Sequence, residues 1–295
     1  MGKCLAILVA GLVSCSCLYR TRPVSYGAQP LPPNMAPYLL TSTADDLNSR
    51  IANVYNATNS FQATAEMKPR VGNVYRSFTI TEITESFTTY ILFRKATSIR
   101  LLGKVPVYGT AFDMASTGPE FKLSLPSKNL FVTGSDSTPV TDSTNPLESL
   151  RPGELLAAIL IRPADLSTER IHIEDDTDID HSWYILQIAR KGPGDTDLPD
   201  RSIWFDRLTL RPIRQRIFDD EGLIVSETRY DKWQVYNDVL FPTHIDAGFK
   251  KSGYGVTIDT SEVKMNLPLA DDKFALEQPA GSTLKVLGVK PPTAQ

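Results

Sequence analysis

Residues 98–134 read SIRLLGKVPVYGTAFDMASTGPEFKLSLPSKNLFVTG. Two short runs in this stretch alternate strictly. Phe112 and Met114 flank Asp113, and Phe121, Leu123 and Leu125 interleave with Glu120, Lys122 and Ser124. A period of two sends successive side chains to opposite faces, so each run reads as a strand with one apolar and one polar face. Between them, Thr117-Gly118-Pro119 is turn chemistry. Strand, turn, strand predicts antiparallel pairing with one face laid on a core.

The pattern extends outward in both directions. From Phe61 the period is two, and Val256 and Ile258 still alternate with Thr257 and Asp259 far downstream. Turn signals recur at Val71-Gly72-Asn73, Asp220-Glu221-Gly222 and Lys251-Ser252-Gly253. Many short strands with regular turns predict an antiparallel sheet that curls or closes. Two helical segments break the rhythm. Thr43 followed by Asp46 is a capping pair, and Leu47, Ile51, Val54 and Tyr55 form one apolar stripe, which predicts a helix ending near residues 56–59. Asn145-Pro146 opens the second segment. There Leu147, Leu150, Leu155, Leu156, Ile159 and Leu160 make a broad apolar face up to Arg162-Pro163, and Pro152-Gly153 predicts two short helices or a break. Helix, about six strands, helix, about six strands is an α+β arrangement whose helices complete the core of one sheet.

All three cysteines, Cys4, Cys15 and Cys17, fall within the first seventeen residues. They therefore concern how the chain starts. Lys3 precedes an apolar run from Leu5 to Val13, too short for the ~20 residues of a membrane-spanning helix but suited to a secretory signal. Leu12-Val13-Ser14-Cys15 resembles the bacterial lipobox. That resemblance implies removal of residues 1–14, acylation of Cys15 with long-chain groups such as palmitate, and a covalent membrane anchor. Cys17 fits less well because Ser14 stands three residues before it. A plain secretory signal is the alternative. Two or three acyl chains hold a protein far more firmly than the marginal grip of one. Residues 18 to 40 carry five prolines and no periodicity, and read as an extended tether. The expected organisation is a signal over 1–14, a lipidated N-terminus and tether over 15–41, one domain over 42–289, and a tail over 290–295.

The formal net charge is −3, and loss of Lys3 makes the mature chain one unit more negative. No basic excess is available to neutralise phosphates, so nucleic acid is not an expected partner. A 41% hydrophobic fraction suits a globular protein.

Beyond the N-terminus, the chain resembles the bacterial lipoprotein-localisation (LolA/LolB-like) family over roughly residues 43 to 288. Residues 98–134 resemble its central hairpins, and residues 145–161 resemble the helix that covers its open end. Further phrases are Ile213…Arg216…Asp219-Asp220-Glu221-Gly222, Arg229-Tyr230-Asp231-Lys232-Trp233, Leu240-Phe241-Pro242-Thr243-His244-Ile245 and Met265-Asn266-Leu267-Pro268-Leu269. The resemblance implies an unclosed antiparallel β-barrel of about 11–12 strands, with α-helices as a lid over an apolar cavity that takes acyl chains or lipoprotein cargo. It implies a location in the cell envelope, at the outer membrane facing the periplasm, and a monomer. The loop Lys104–Gly109 best matches the exposed apolar loop of the anchored member, with Val107 or Tyr108 as the membrane or cargo contact, the alternative being that both pack on the rim. Candidate cavity or lid residues are Leu147, Leu150, Leu155, Leu156, Ile159, Trp183, Trp204, Phe205 and Trp233; the four aromatics among them read first as core, since any sandwich would bury them too. The chain exceeds the family's usual length, and the acidic hairpin and Gly/Pro loop of residues 170–200 are not placed by the resemblance.

No catalytic pattern competes strongly. Neither G-x-S-x-G nor HExxH occurs, and the three histidines are His172, His181 and His244. Glu174 to His181 is the one dense acidic group; its alternating Asp176, Asp178 and Asp180 mimic half a calcium loop but lack the glycine and the final glutamate. A solvated hairpin tip is the expectation there. No enzyme, metal or cofactor is expected. A docking lipoprotein that keeps the fold without an open cavity is the alternative function, with a hydrolase of unfamiliar site a distant third.

Overall fold

The computed structural model describes residues 38–71, 81–82, 86–136, 138, 146–149, 151–178, 180–192, 194, 196–250 and 253–288. The signal, Cys15, most of the tether and the side chain of Leu150 lie outside them. Helix α1 spans Ala44–Ala57. It starts where the capping pair predicts: the Asp46 amide donates to Thr43 Oγ1 at 3.1 Å, and the Thr43 amide to Asp46 Oδ2 at 3.3 Å. Leu47 and Ile51 carry its stripe into the core. Seven strands follow: β1 (Ser60–Val71), β2 (Thr81–Glu82), β3 (Phe87–Arg94), β4 (Ser98–Val105), β5 (Gly109–Ser116), β6 (Glu120–Leu125) and β7 (Leu130–Ser135). The second helical segment splits at its proline into a 3-10 turn at Pro146–Ser149 and α2 at Pro152–Ile159, with Pro152 at the helix start, where its missing N–H costs nothing.

Among the described residues eight more strands follow: β8 (Glu169–Thr177), β9 (Ser182–Lys191), β10 (Asp197–Asp206), β11 (Arg211–Phe218), β12 (Ile224–Tyr236), β13 (Val239–Phe249), β14 (Tyr254–Met265) and β15 (Thr283–Val286). All fifteen belong to one sheet, in the order β15-β7-β6-β5-β4-β3-β1-β14-β13-β12-β11-β10-β9-β8, with β2 beside β1. This exceeds the 11–12 strands expected, partly because β2 has two residues and β15 four, too few for a period of two to stand out. Every pairing is antiparallel except β15 with β7. The two meanders join where β1 pairs β14, with Phe61 opposite Met265. Strands β8 and β15 are the two free ends of the path, so the sheet is unclosed. The connection from β7 to β8 runs from one meander to the other and carries α2. Of the acidic segment, Glu174–Thr177 end β8 at one free edge of the sheet, and Asp178, Asp180 and His181 lie between β8 and β9.

The buried apolar side chains form two main clusters. The larger fills the curl of the sheet, with Phe61, Phe93, Phe112, Phe121 and Tyr254 fully buried. The smaller lies under α1, where Leu47 and Ile51 meet Tyr184, Leu186, Ile203, Phe205 and Leu210. Ile161 packs against both clusters.

Candidate functional site

A cavity of about 400 Å³ opens at the seam between the two clusters. Three parts of the chain build it. Helix α1 roofs it with Ile51 and Val54; Ile159, Leu160 and Ile161 enter from the end of α2; strands β10 to β13 and their turns supply Phe205, Leu210, Pro212, Tyr230, Trp233, Leu240, Phe241 and Pro242. These walls are almost wholly apolar. Thr58 is the buried polar exception, its hydroxyl donating to the Val54 carbonyl at 2.8 Å, while Arg50, Asn53 and Thr209 are exposed and Arg211 is half-buried. The volume lies inside the ~300–1,000 Å³ typical of small-molecule sites.

The β10–β11 turn that shapes one wall is held by Asp206. Its carboxylate accepts from the Leu208 amide at 3.1 Å and the Thr209 hydroxyl at 2.8 Å, and its carbonyl accepts from the Leu210 amide at 2.7 Å. Leu210 sits at φ +50°, unusual for a non-glycine residue, and its side chain turns inward, 6% exposed.

Two polar atoms in the wall stand out. The Trp233 indole N–H is buried without a hydrogen-bond partner among the described residues. The Tyr230 hydroxyl is buried as well, and burial pushes its pKa up from the ordinary tyrosine value. Thr228 lies close enough to oppose that shift, but not in hydrogen-bonding geometry. Unsatisfied buried donors are uncommon in folded proteins and call for an explanation.

The candidate residues separate by place. Ile159, Phe205 and Trp233 line the cavity. Leu155 is fully buried in the larger cluster, and Leu147 and Leu156 pack against it. Trp204 and Phe205 are neighbours on β10, and adjacent strand residues leave opposite faces. Trp204 therefore points away from Phe205, 7% exposed beneath Arg214 and Arg216, whose guanidinium carbons lie 4.8 and 5.1 Å from its ring centre. Trp183 stacks on His181 with ring centres 3.9 Å apart, beside Asp176 and Asp178. Val107 and Tyr108 form the β4–β5 loop and stand clear of the core: they are 101% and 87% exposed. His244 Nδ1 lies 2.7 Å from Asp259 Oδ1 across the β13–β14 pair. Among the described residues no metal-holding group of side chains is present, and no helix is long and apolar enough to cross a membrane.

Sequence reasoning misses Ile51, Val54 and Leu210 as walls, and Arg50 and Arg211 as rim. Ile51 and Val54 are visible as a helical stripe, with nothing in the stripe to distinguish cavity wall from solid core. Leu240-Phe241-Pro242 is visible as a phrase without a place.

No protein-family model and no curated protein matches the chain. Its fold is nevertheless shared with solved structures. A DUF1329 family protein from Desulfovibrio piger is 17% identical with a TM-score of 0.53, over 79% of this chain and 95% of that one. A LolA superfamily protein from Nitrosomonas europaea is 14% identical with a TM-score of 0.51, over 80% and 99%. A domain from Vibrio parahaemolyticus described as a putative outer membrane lipoprotein-sorting protein domain is 13% identical with a TM-score of 0.50, over 79% and 95%. At these identities the likeness is one of fold: this chain has the LolA-like open-barrel architecture.

Proposed function

We propose that this protein is a bacterial envelope lipoprotein, anchored through acylated Cys15, whose cavity beneath α1 receives acyl chains during localisation of lipids or lipoproteins to the outer membrane. The observation that carries this reading is the apolar cavity itself, roofed by a helix and open at a rim. An acyl chain leaves a bilayer without a large penalty only when a preformed apolar site replaces it. Such transfer needs no catalytic group, only a difference in affinity between donor and acceptor. The LolA-like architecture supports the reading, as does the β4–β5 loop, where Val107 and Tyr108 stand free to enter a membrane surface.

Titration of the purified full chain with a fluorescent C16 acyl probe tests it. Saturable binding with one site per chain, accompanied by a change in Trp233 emission, is expected. Probe that binds nowhere, or binds without disturbing Trp233, would contradict it. Mass analysis of the N-terminal peptide tests the anchor: acyl groups on Cys15 are expected, and a Cys15→Ala variant should leave the membrane fraction.

A further inference from the structure

We infer that the natural occupant is a single-chain amphiphile with an anionic headgroup, its chain in the cavity and its head held at the rim by Arg50 and Arg211. The inference rests on the acyl-binding reading above and names the class of ligand.

Size limits the number of chains. An apolar cavity of ~150 Å³ accommodates a six-carbon ring, so one of about 400 Å³ accommodates roughly sixteen carbons. That is one long chain. The two or three chains of a fully acylated lipoprotein exceed it.

Charge selects the head. The residues around the cavity include two arginines and no acidic residue. Both arginines are free: among the described residues, neither Arg50 nor Arg211 makes a side-chain hydrogen bond or ion pair. This is unusual in a molecule whose other arginines are mostly paired, such as Arg100 with Asp113, Arg207 with Asp175, and Arg214 and Arg216 with Glu227. The acids near the two free arginines are already engaged. Asp46, one turn before Arg50, accepts from the Thr43 amide. Asp206, the register partner of Arg211, accepts from Leu208 and Thr209. Two guanidiniums with unused donors beside an apolar opening are suited to a carboxylate or phosphate attached to a chain.

Competition against the C16 probe on the full chain tests this. The competitors share one tail: palmitate, palmitoyl-lysophosphatidylglycerol, and neutral monopalmitoylglycerol. The anionic competitors are expected to displace the probe about fivefold more effectively than the neutral one, the size expected of two rim ion pairs. The preference should shrink as salt rises. Palmitate ahead of the lysolipid would identify a carboxylate head, and the reverse a phosphate. In the Arg50→Gln/Arg211→Gln variant the preference should vanish while monopalmitoylglycerol still binds. A neutral competitor as effective as the anions, or a preference that survives in the variant, overturns the inference and leaves the acyl cavity intact. Failure of all three to displace the probe overturns both.

Discussion

Asn48 and Ala164 exchange two hydrogen bonds: the Asn48 amide donates to the Ala164 carbonyl at 3.2 Å, and the Ala164 amide donates to Asn48 Oδ1 at 2.7 Å. One side chain thus pairs α1 to the segment beyond α2, as a neighbouring strand would. It fixes the roof of the cavity relative to Ile159, Leu160 and Ile161. Replacing Asn48 with Ala leaves both Ala164 groups unpaired in a buried site, at a cost of roughly 1–3 kcal/mol. Asn48→Ala is expected to lower the melting temperature and weaken acyl-probe binding together. Unchanged binding would show that the roof is positioned by other contacts.

A second tie secures the same region. Glu169, at the start of β8, receives both guanidinium nitrogens of Arg201 at 2.9 and 3.1 Å, Arg162 at 2.7 Å and the Asp165 amide at 2.7 Å. Burial disfavours the ionised Glu169, but these bonds outweigh it and hold its pKa at about 2. A depressed carboxylate pKa means the folded state binds fewer protons than the unfolded one. The stabilisation is therefore full above the ordinary glutamate pKa near ~4.3 and drains as pH falls towards about 2. Urea midpoints across that window should fall steeply in the wild type. In Glu169→Gln the slope should flatten, and stability at pH 7 should drop by ~3 kcal/mol as Arg201 loses a buried partner.

The β4–β5 loop should act on membranes without acting on folding. Val107 and Tyr108 lie in solvent, and Tyr108→Glu should change stability by no more than about 0.5 kcal/mol. Sedimentation of the unanchored Cys15→Ala chain with vesicles should decrease in the Val107→Glu/Tyr108→Glu background. Equal sedimentation would remove the loop from the membrane contact.

Filling the cavity separates a working site from an incidental void. Val54 faces it from α1, and Val54→Trp would occupy the space a chain needs. Probe affinity should fall by about tenfold or more, while the melting temperature holds or rises, since cavity-filling changes commonly add ~0.5–2 kcal/mol.

Much of this architecture is legible in the sequence, for definite reasons. The Thr43–Asp46 box, the alternation in Phe121–Leu125 and the break at Pro152 are local signals set by local physics, and each appears in the fold. The pairing of β1 with β14 and the long connection from β7 to β8 depend on residues some two hundred positions apart or on opposite meanders, and no local signal encodes them. The cavity is legible only in fragments. Strand parity alone forbids Trp204 and Phe205 from sharing a face, a clue present in the sequence. That α1 lines the space together with Ile159, Leu160 and Ile161 is a meeting of distant segments, tied by Asn48 to Ala164, which no spacing rule anticipates. Arg50 and Arg211 acquire meaning only from the absence of partners among the described residues around them.

The central claim is that the space beneath α1 holds an acyl chain. Native mass spectrometry of the full chain released from its own membrane tests it most directly. A mass above that of the acylated polypeptide by one single-chain amphiphile is expected, with loss of that increment in Val54→Trp. A wild-type chain that flies empty, or an increment that persists in Val54→Trp, would contradict it.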